Sequence, residues 1–161
     1  MKKFAMAAAT AALLLSVSTG ALAATGLGSV TSMSGSAATA DKAGSVTVNT
    51  TMCALELDDE GKIVSVSFDI AQNKIGFDAA GALTTDLAAE HPTKKELKEG
   101  YGMKGASSIG KEWYEQAEAL EAWCVGKTVA EVVGMPTYDK GDGHHTQVPD
   151  DVHLKSGCTI D

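Results

Sequence analysis

The sequence predicts an α+β fold: an antiparallel sheet built from β-hairpins, with two or three short helices packed on one face. Three observations predict it. Two-residue alternation, the mark of strands, is confined to the first half. Helical spacing and two capping boxes occur only in the second half. Strands that come first and helices that follow belong to the α+β class rather than to alternating parallel units.

The chain opens with Lys2 and Lys3, an apolar run over residues 4–17 and the small-x-small triplet Ala21-Leu22-Ala23. This pattern predicts a secretory signal peptide at 1–23, cleaved after Ala23, and its apolar run is short for a membrane span. Cleavage would leave 138 of the 161 residues, enough for one domain with its own core. Residues 24–45 then form an N-terminal strand and loop: "TGLGSVTSMSGS" suits an edge strand and "AATADKAGS" a loop. Residues 46–161 form a single α+β domain.

Within that domain, Val46, Val48, Thr50, Met52 and Ala54 share one parity. "DDEGK" at 58–62 is turn chemistry, with Gly61 free to take positive φ. Val64, Val66, Phe68 and Ile70 then alternate with Ser65, Ser67 and Asp69. Residues 45–70 therefore read as a β-hairpin, and "KIGFDAAGALTT" as a second, shorter one turning around 78–81. Thr93 and Glu96 make a capping box over the short helix "KKELKE".

A glycine-rich loop follows, and then Trp113, Ala117, Leu120 and Cys124 recur as the apolar stripe of a helix of about three turns. Glu112, Glu115, Glu118 and Glu121 line its outer side. Gly126 ends that helix. Thr128 and Glu131 cap the short helix "VAEVV", closed by Gly134 and Pro136. The remaining tail reads as polar and then mildly strand-like, and "SGCTID" reads like the start of a strand: either a short terminal strand closes the sheet or the sequence is truncated there.

Composition removes several function classes. The formal net charge is −8, it becomes −10 once Lys2 and Lys3 are cleaved away, and there is no arginine. Nucleic acid, which needs cations facing its phosphates, is excluded as a partner. Anionic lipid is an equally poor one, and no membrane insertion is expected after signal cleavage. Cys53, Cys124 and Cys158 allow one disulfide in three pairings, or serve as small core residues. No CxxC, GxSxG or HExxH spacing occurs.

The chemistry concentrates in "EGYGMKGASSIGKEW", residues 99–113. Gly105 and Ala106 let a ligand approach the backbone. Ser107 and Ser108 offer hydroxyls, and the amides opening the next helix are donors with partial positive charge behind them. Lys104 and Lys111 add cations. Together these suit a phosphate, while Tyr101, Trp113 and Tyr114 could stack on a planar ring. The plainer reading is a connector whose serines cap a helix and whose Trp113 belongs to the core.

The hairpin turn "EGKIVSVSF", the later "KGAS" and the helix that follows it resemble the small extracytoplasmic FMN-binding domain. That domain occurs in periplasmic subunits of sodium-pumping and Rnf-type redox complexes and in secreted flavoproteins. The resemblance spans about residues 45–125. It implies an electron-relay protein rather than a stand-alone enzyme, with a membrane or extracellular redox protein as partner. It implies FMN held by Lys104, Gly105, Ala106, Ser107 and Ser108 at the phosphate and by Tyr101 and Tyr114 at the ring. The family's motif carries Ser or Thr where Lys104 stands and an acid where Tyr101 stands, so non-covalent binding is favoured over covalent attachment at Ser107.

The alternative is a secreted or cell-envelope interaction module without cofactor. His144, His145 and His153 lie among aspartates in the tail, but their spacing matches no metal motif, and no metal site is assigned.

Overall fold

The computed structural model of the chain describes residues 24–143, 145–155 and 157–160. The expected signal peptide and His144 lie outside them. Strands β1 (Ala24–Ser36), β2 (Gly44–Leu57) and β3 (Ile63–Phe77) form an antiparallel sheet in the order β1-β2-β3. Helices α1 (Lys94–Leu97), α2 (Trp113–Cys124) and α3 (Val129–Val133) follow, with a 3-10 helix at Lys98–Tyr101. Two short strands, β4 (Thr137–Tyr138) and β5 (Val148–Pro149), pair in the tail. The fold is α+β.

The β2–β3 turn forms as its residues dictate. The Asp58 carboxylate accepts the N–H groups of Glu60 and Lys62, each at 2.9 Å, and Gly61 takes φ 77°. Just beyond it the ladder slips. Leu57 pairs with Ile63 while Glu56 pairs with Ser65, so Val64 is an extra residue in a bulge. The bulge buries Ile63 and exposes Val64. The alternation that grouped Val64 with Val66, Phe68 and Ile70 is therefore broken at its first member.

β3 continues seven residues past Ile70. Asp78 repeats the Asp58 turn, accepting from the N–H groups of Ala80 and Ala82. The return strand of this second hairpin is reduced to one bridge, Phe77 to Leu83. Gly44 is required where β2 begins, because a Cβ there would lie 2.4 Å from the Phe77 ring.

The core lies at one end of the sheet. Leu57, Ile63 and Cys124 are its centre, with Leu55, Val66, Phe68, Leu120, Trp123 and Val132 packed around them. The segment between α2 and α3 is stitched to the start of β3: Ile63 N–H donates to Lys127 O and Gly126 N–H to Ile63 O, both at 2.8 Å. Both predicted capping boxes form, at Thr93/Glu96 and Thr128/Glu131.

Two expectations change. The tail is not merely polar. Val148, Leu154 and Cys158 are fully buried, and a Cβ on Gly157 would approach the Ala119 side chain at 3.0 Å, so the tail packs on α2. The four glutamates of α2 also do not line an outer face together. Glu118 is exposed, but Glu112 is buried and Glu121 is half-buried against β3.

Candidate functional site

The loop joining the 3-10 helix to α2 is two tight turns. Met103 O accepts the N–H groups of Ala106 and Ser107, both at 2.9 Å, and Ser107 O accepts Gly110 N–H at 3.0 Å. Glu112 is the residue that closes the loop. Only 4% exposed, it turns its carboxylate under the first turn and accepts Met103 N–H at 2.7 Å and Lys104 N–H at 3.1 Å. It is also the N-cap of α2, and its own N–H donates to the Glu115 carboxylate at 2.8 Å. Glutamate, not serine, therefore caps this helix.

Ser107 faces inward. Its Oγ accepts Gln116 Nε2 at 3.1 Å and lies within reach of the Ile109 and Lys111 N–H groups at 3.4 and 3.5 Å. Gln116 is fully buried, and its Oε1 accepts the Thr159 N–H at 2.8 Å and the Thr159 hydroxyl at 3.1 Å. One glutamine thus ties the loop, α2 and the tail together. A buried amide earns its place only when both ends are bonded, and here both are.

The seven predicted cofactor residues differ in exposure and in partners. Lys104, Gly105, Ala106 and Ser108 form an exposed rim. The Lys94 ammonium sits 4.9 Å from the Tyr101 ring centroid and 5.4 Å from that of Trp113. Lys94 is thus held between two aromatic faces, and the Tyr101 hydroxyl reaches Gln72 Oε1 at 3.5 Å. The Tyr114 hydroxyl donates to the Glu99 carboxylate at 2.9 Å, which pushes its pKa up to about 12. Glu99 is held below the usual carboxylate range by its own backbone N–H first and by Tyr114 second.

FMN needs a phosphate seat and a ring seat. The rim suits the phosphate. It carries a cation and a hydroxyl, and nothing lies within 4 Å of where a Gly105 Cβ would be. The Met103 and Lys104 amides are already taken by Glu112. Tyr101 and Tyr114 are engaged with Lys94 and Glu99.

A cleft of about 310 Å³ adjoins the rim at Ser108 and is lined also by Ile109, Tyr138, Pro149, Lys155 and Thr159. Lys155 pairs with Asp150 at its edge, at 2.8 Å. All but Ser108 and Ile109 come from the tail, which the sequence reads only as polar and mildly strand-like. Isolated apolar residues at 148 and 154 among charged ones were the available signal.

A second cleft, about 460 Å³, lies between Trp123, Lys127, Ala130, Glu131, Met135 and Pro136. Its apolar wall is crossed by the Lys127 ammonium, 4.0 Å from the Trp123 ring centroid and bonded to the Trp123 carbonyl. All three cysteines are free thiols. Burial pushes the Cys124 thiol up to about 11 and also raises Cys53 and Cys158. His145 Nδ1 pairs with Asp142 at 2.7 Å and His153 is exposed. Among the described residues no three His, Cys, Asp or Glu side chains gather as metal ligands would, and no helix is long and apolar enough to cross a membrane.

No family model matches this chain, and no solved structure matches it. Among curated proteins it is similar to a chlorophenol reductase of Desulfitobacterium hafniense, at 38% identity over 96 residues. The match covers 53% of this chain and 29% of that protein, so the chain spans under a third of its relative's length.

Proposed function

We propose that this chain is a secreted FMN-binding protein of extracytoplasmic electron transfer, with a membrane or extracellular redox protein as its partner. The observation that carries the reading is the exposed rim of Lys104, Gly105, Ala106 and Ser108 opening onto a cleft beside it. The similarity to a protein named as a reductase supports a redox role, as does the resemblance of the hairpin turn and "KGAS" to the FMN-binding domain.

When bound, the flavin supplies the redox chemistry. The chain's part is binding. Lys104 and the Ser108 hydroxyl hold the phosphate, and Gly105 and Ala106 leave its path clear. Ile109, Tyr138 and Pro149 offer an apolar wall for the ring, and Lys155 stands at the mouth. The inward turn of the Ser107 hydroxyl to Gln116 supports non-covalent binding.

The test is a visible absorbance spectrum of protein purified from its native host, repeated after denaturation and desalting. Flavin bands lost on denaturation, and weakened in Ser108→Ala or Lys104→Ala, are the expected result. Bands that persist and vanish only in Ser107→Ala would mean covalent attachment. No bands, and none after incubation with FMN, would overturn the reading. A secreted interaction module without cofactor would then stand, and one feature already favours it: Glu112 satisfies the loop amides without any ligand.

A further inference from the structure

We propose that two copies of this chain pair through β1, antiparallel and centred on Val30, to form a continuous six-stranded sheet. The first ground is the direction of the backbone. Phe68 N–H points away from β2, to Glu121 Oε1 at 2.6 Å. Backbone direction alternates along an antiparallel ladder. Cys53, opposite Phe68, therefore turns its amide toward Gly28 of β1, and Ser29 turns its amide outward. Leu27, Thr31 and Met33 do the same. Among the described residues nothing covers this edge.

The second ground is composition. β1 holds thirteen residues without a charge or a proline, in a chain of formal net charge −8. Long uncharged edges are what soluble proteins normally avoid, because they template pairing. Two acidic copies repel each other wherever carboxylates meet, and the side chains of this strip bring none.

The third ground commits the edge to a copy of itself. A two-fold axis at Val30 sets the residues that flank it in β1 opposite one another. The order of residue types is nearly the same read outward from Val30 in either direction. Leu27 falls opposite Met33, Val30 opposite Val30, Ser29 opposite Thr31, and Gly26 and Gly28 opposite Ser34 and Ser32. Leu27, Val30 and Met33 are 76%, 54% and 68% exposed, and in this register each meets an apolar residue. Isologous pairing of this kind is how two-fold dimers are built.

The experiment is sedimentation velocity on the chain as recovered from its host, with far-ultraviolet circular dichroism to check folding. The expected result is a dimer at micromolar concentration. Val30→Lys and Ser29→Pro should each give a folded monomer, the second by removing one outward N–H while sparing the β2 ladder. Val64→Lys, at an exposed valine far from this edge, should stay dimeric. Val30→Cys should cross-link to itself under mild oxidant and Leu27→Cys should not, since residues 27 of the two copies lie on opposite sides of the axis. A monomer at every concentration would overturn the proposal. So would a dimer that survives both Val30→Lys and Ser29→Pro, or self-cross-linking by Leu27→Cys instead of Val30→Cys.

Discussion

The two edges of the main sheet are treated in opposite ways. On β3 three of the outward amides are met by side chains. Phe68 N–H goes to Glu121, Ile70 N–H to the Asp69 carboxylate at 2.7 Å, and Gly76 N–H to Thr85 Oγ1 at 2.8 Å. Glu121 in turn receives the Lys95 ammonium, which also reaches Ser67. On β1 the outer edge carries no such partner among the described residues. A carboxylate on an edge amide both satisfies the donor and repels a new strand. β3 is thus the edge on which helices and loops are hung, and β1 the edge left available for association. Substitutions on the first should cost stability, and substitutions on the second should change oligomeric state.

The largest effect is expected at Glu121. Glu121→Ala leaves the Phe68 amide without its acceptor and Lys95 without its counter-ion, where both side chains are mostly buried. Removing one partner of a pair like this costs about 3 kcal/mol, to be read from urea unfolding. Glu121→Gln keeps an acceptor for the amide and should cost less. Equal losses in the two variants would show that the amide contact contributes nothing.

Next comes Gln116→Leu. It strands the Thr159 N–H and frees Ser107, at about 2 kcal/mol for a buried donor left unmet. Hydrogen exchange at Thr159 should accelerate well before the sheet opens. Unchanged protection there would separate the tail from the network.

Tyr114 gives a smaller, spectroscopic effect. Its phenol should ionise near pH 12 in absorbance at 295 nm, and Glu99→Gln should return it toward the ordinary 10.0. A raised folded pKa means stabilisation that is complete below pH 10 and lost as pH climbs toward 12. The lowered Glu99 pKa works from the other side: its share holds above the ordinary 4.5 and fades as pH falls through the folded value. The smallest effect belongs to β1. Diluted to monomer, Val30→Lys should unfold within about 0.5 kcal/mol of the parent, as exposed substitutions usually do. A large loss there would erase the contrast between the edges.

Local rules carried far in this chain. The hairpin turn at Asp58, its repeat at Asp78, both threonine capping boxes and the stripe of α2 follow from residues within a few positions of one another. The order of these segments was enough for the α+β class. The candidate site was legible only in part. Gly105, Ala106 and Ser108 do form an open rim, since glycines and hydroxyls in a loop stay where their neighbours put them. Tyr101 and Tyr114 were grouped with that rim by proximity in sequence, but one is drawn to Lys94 and the other to Glu99.

What the sequence by itself determined is the α+β class, the Asp58 hairpin, the two threonine capping boxes and the α2 stripe, because turns, caps and amphipathic stripes are short-range and each residue type has few ways to satisfy them. Only the tertiary structure decided what each polar group faces. It turned Glu112 beneath the loop as cap and acceptor, buried Gln116 at the junction with Thr159, brought the tail's Val148, Leu154 and Cys158 into a core, and gave side-chain acceptors to three outward amides of β3 but, among the described residues, to none of β1. Those outcomes join residues up to dozens of positions apart. They depend on which donors burial leaves unmet once the chain has closed on itself, and no local window of the sequence contains that information.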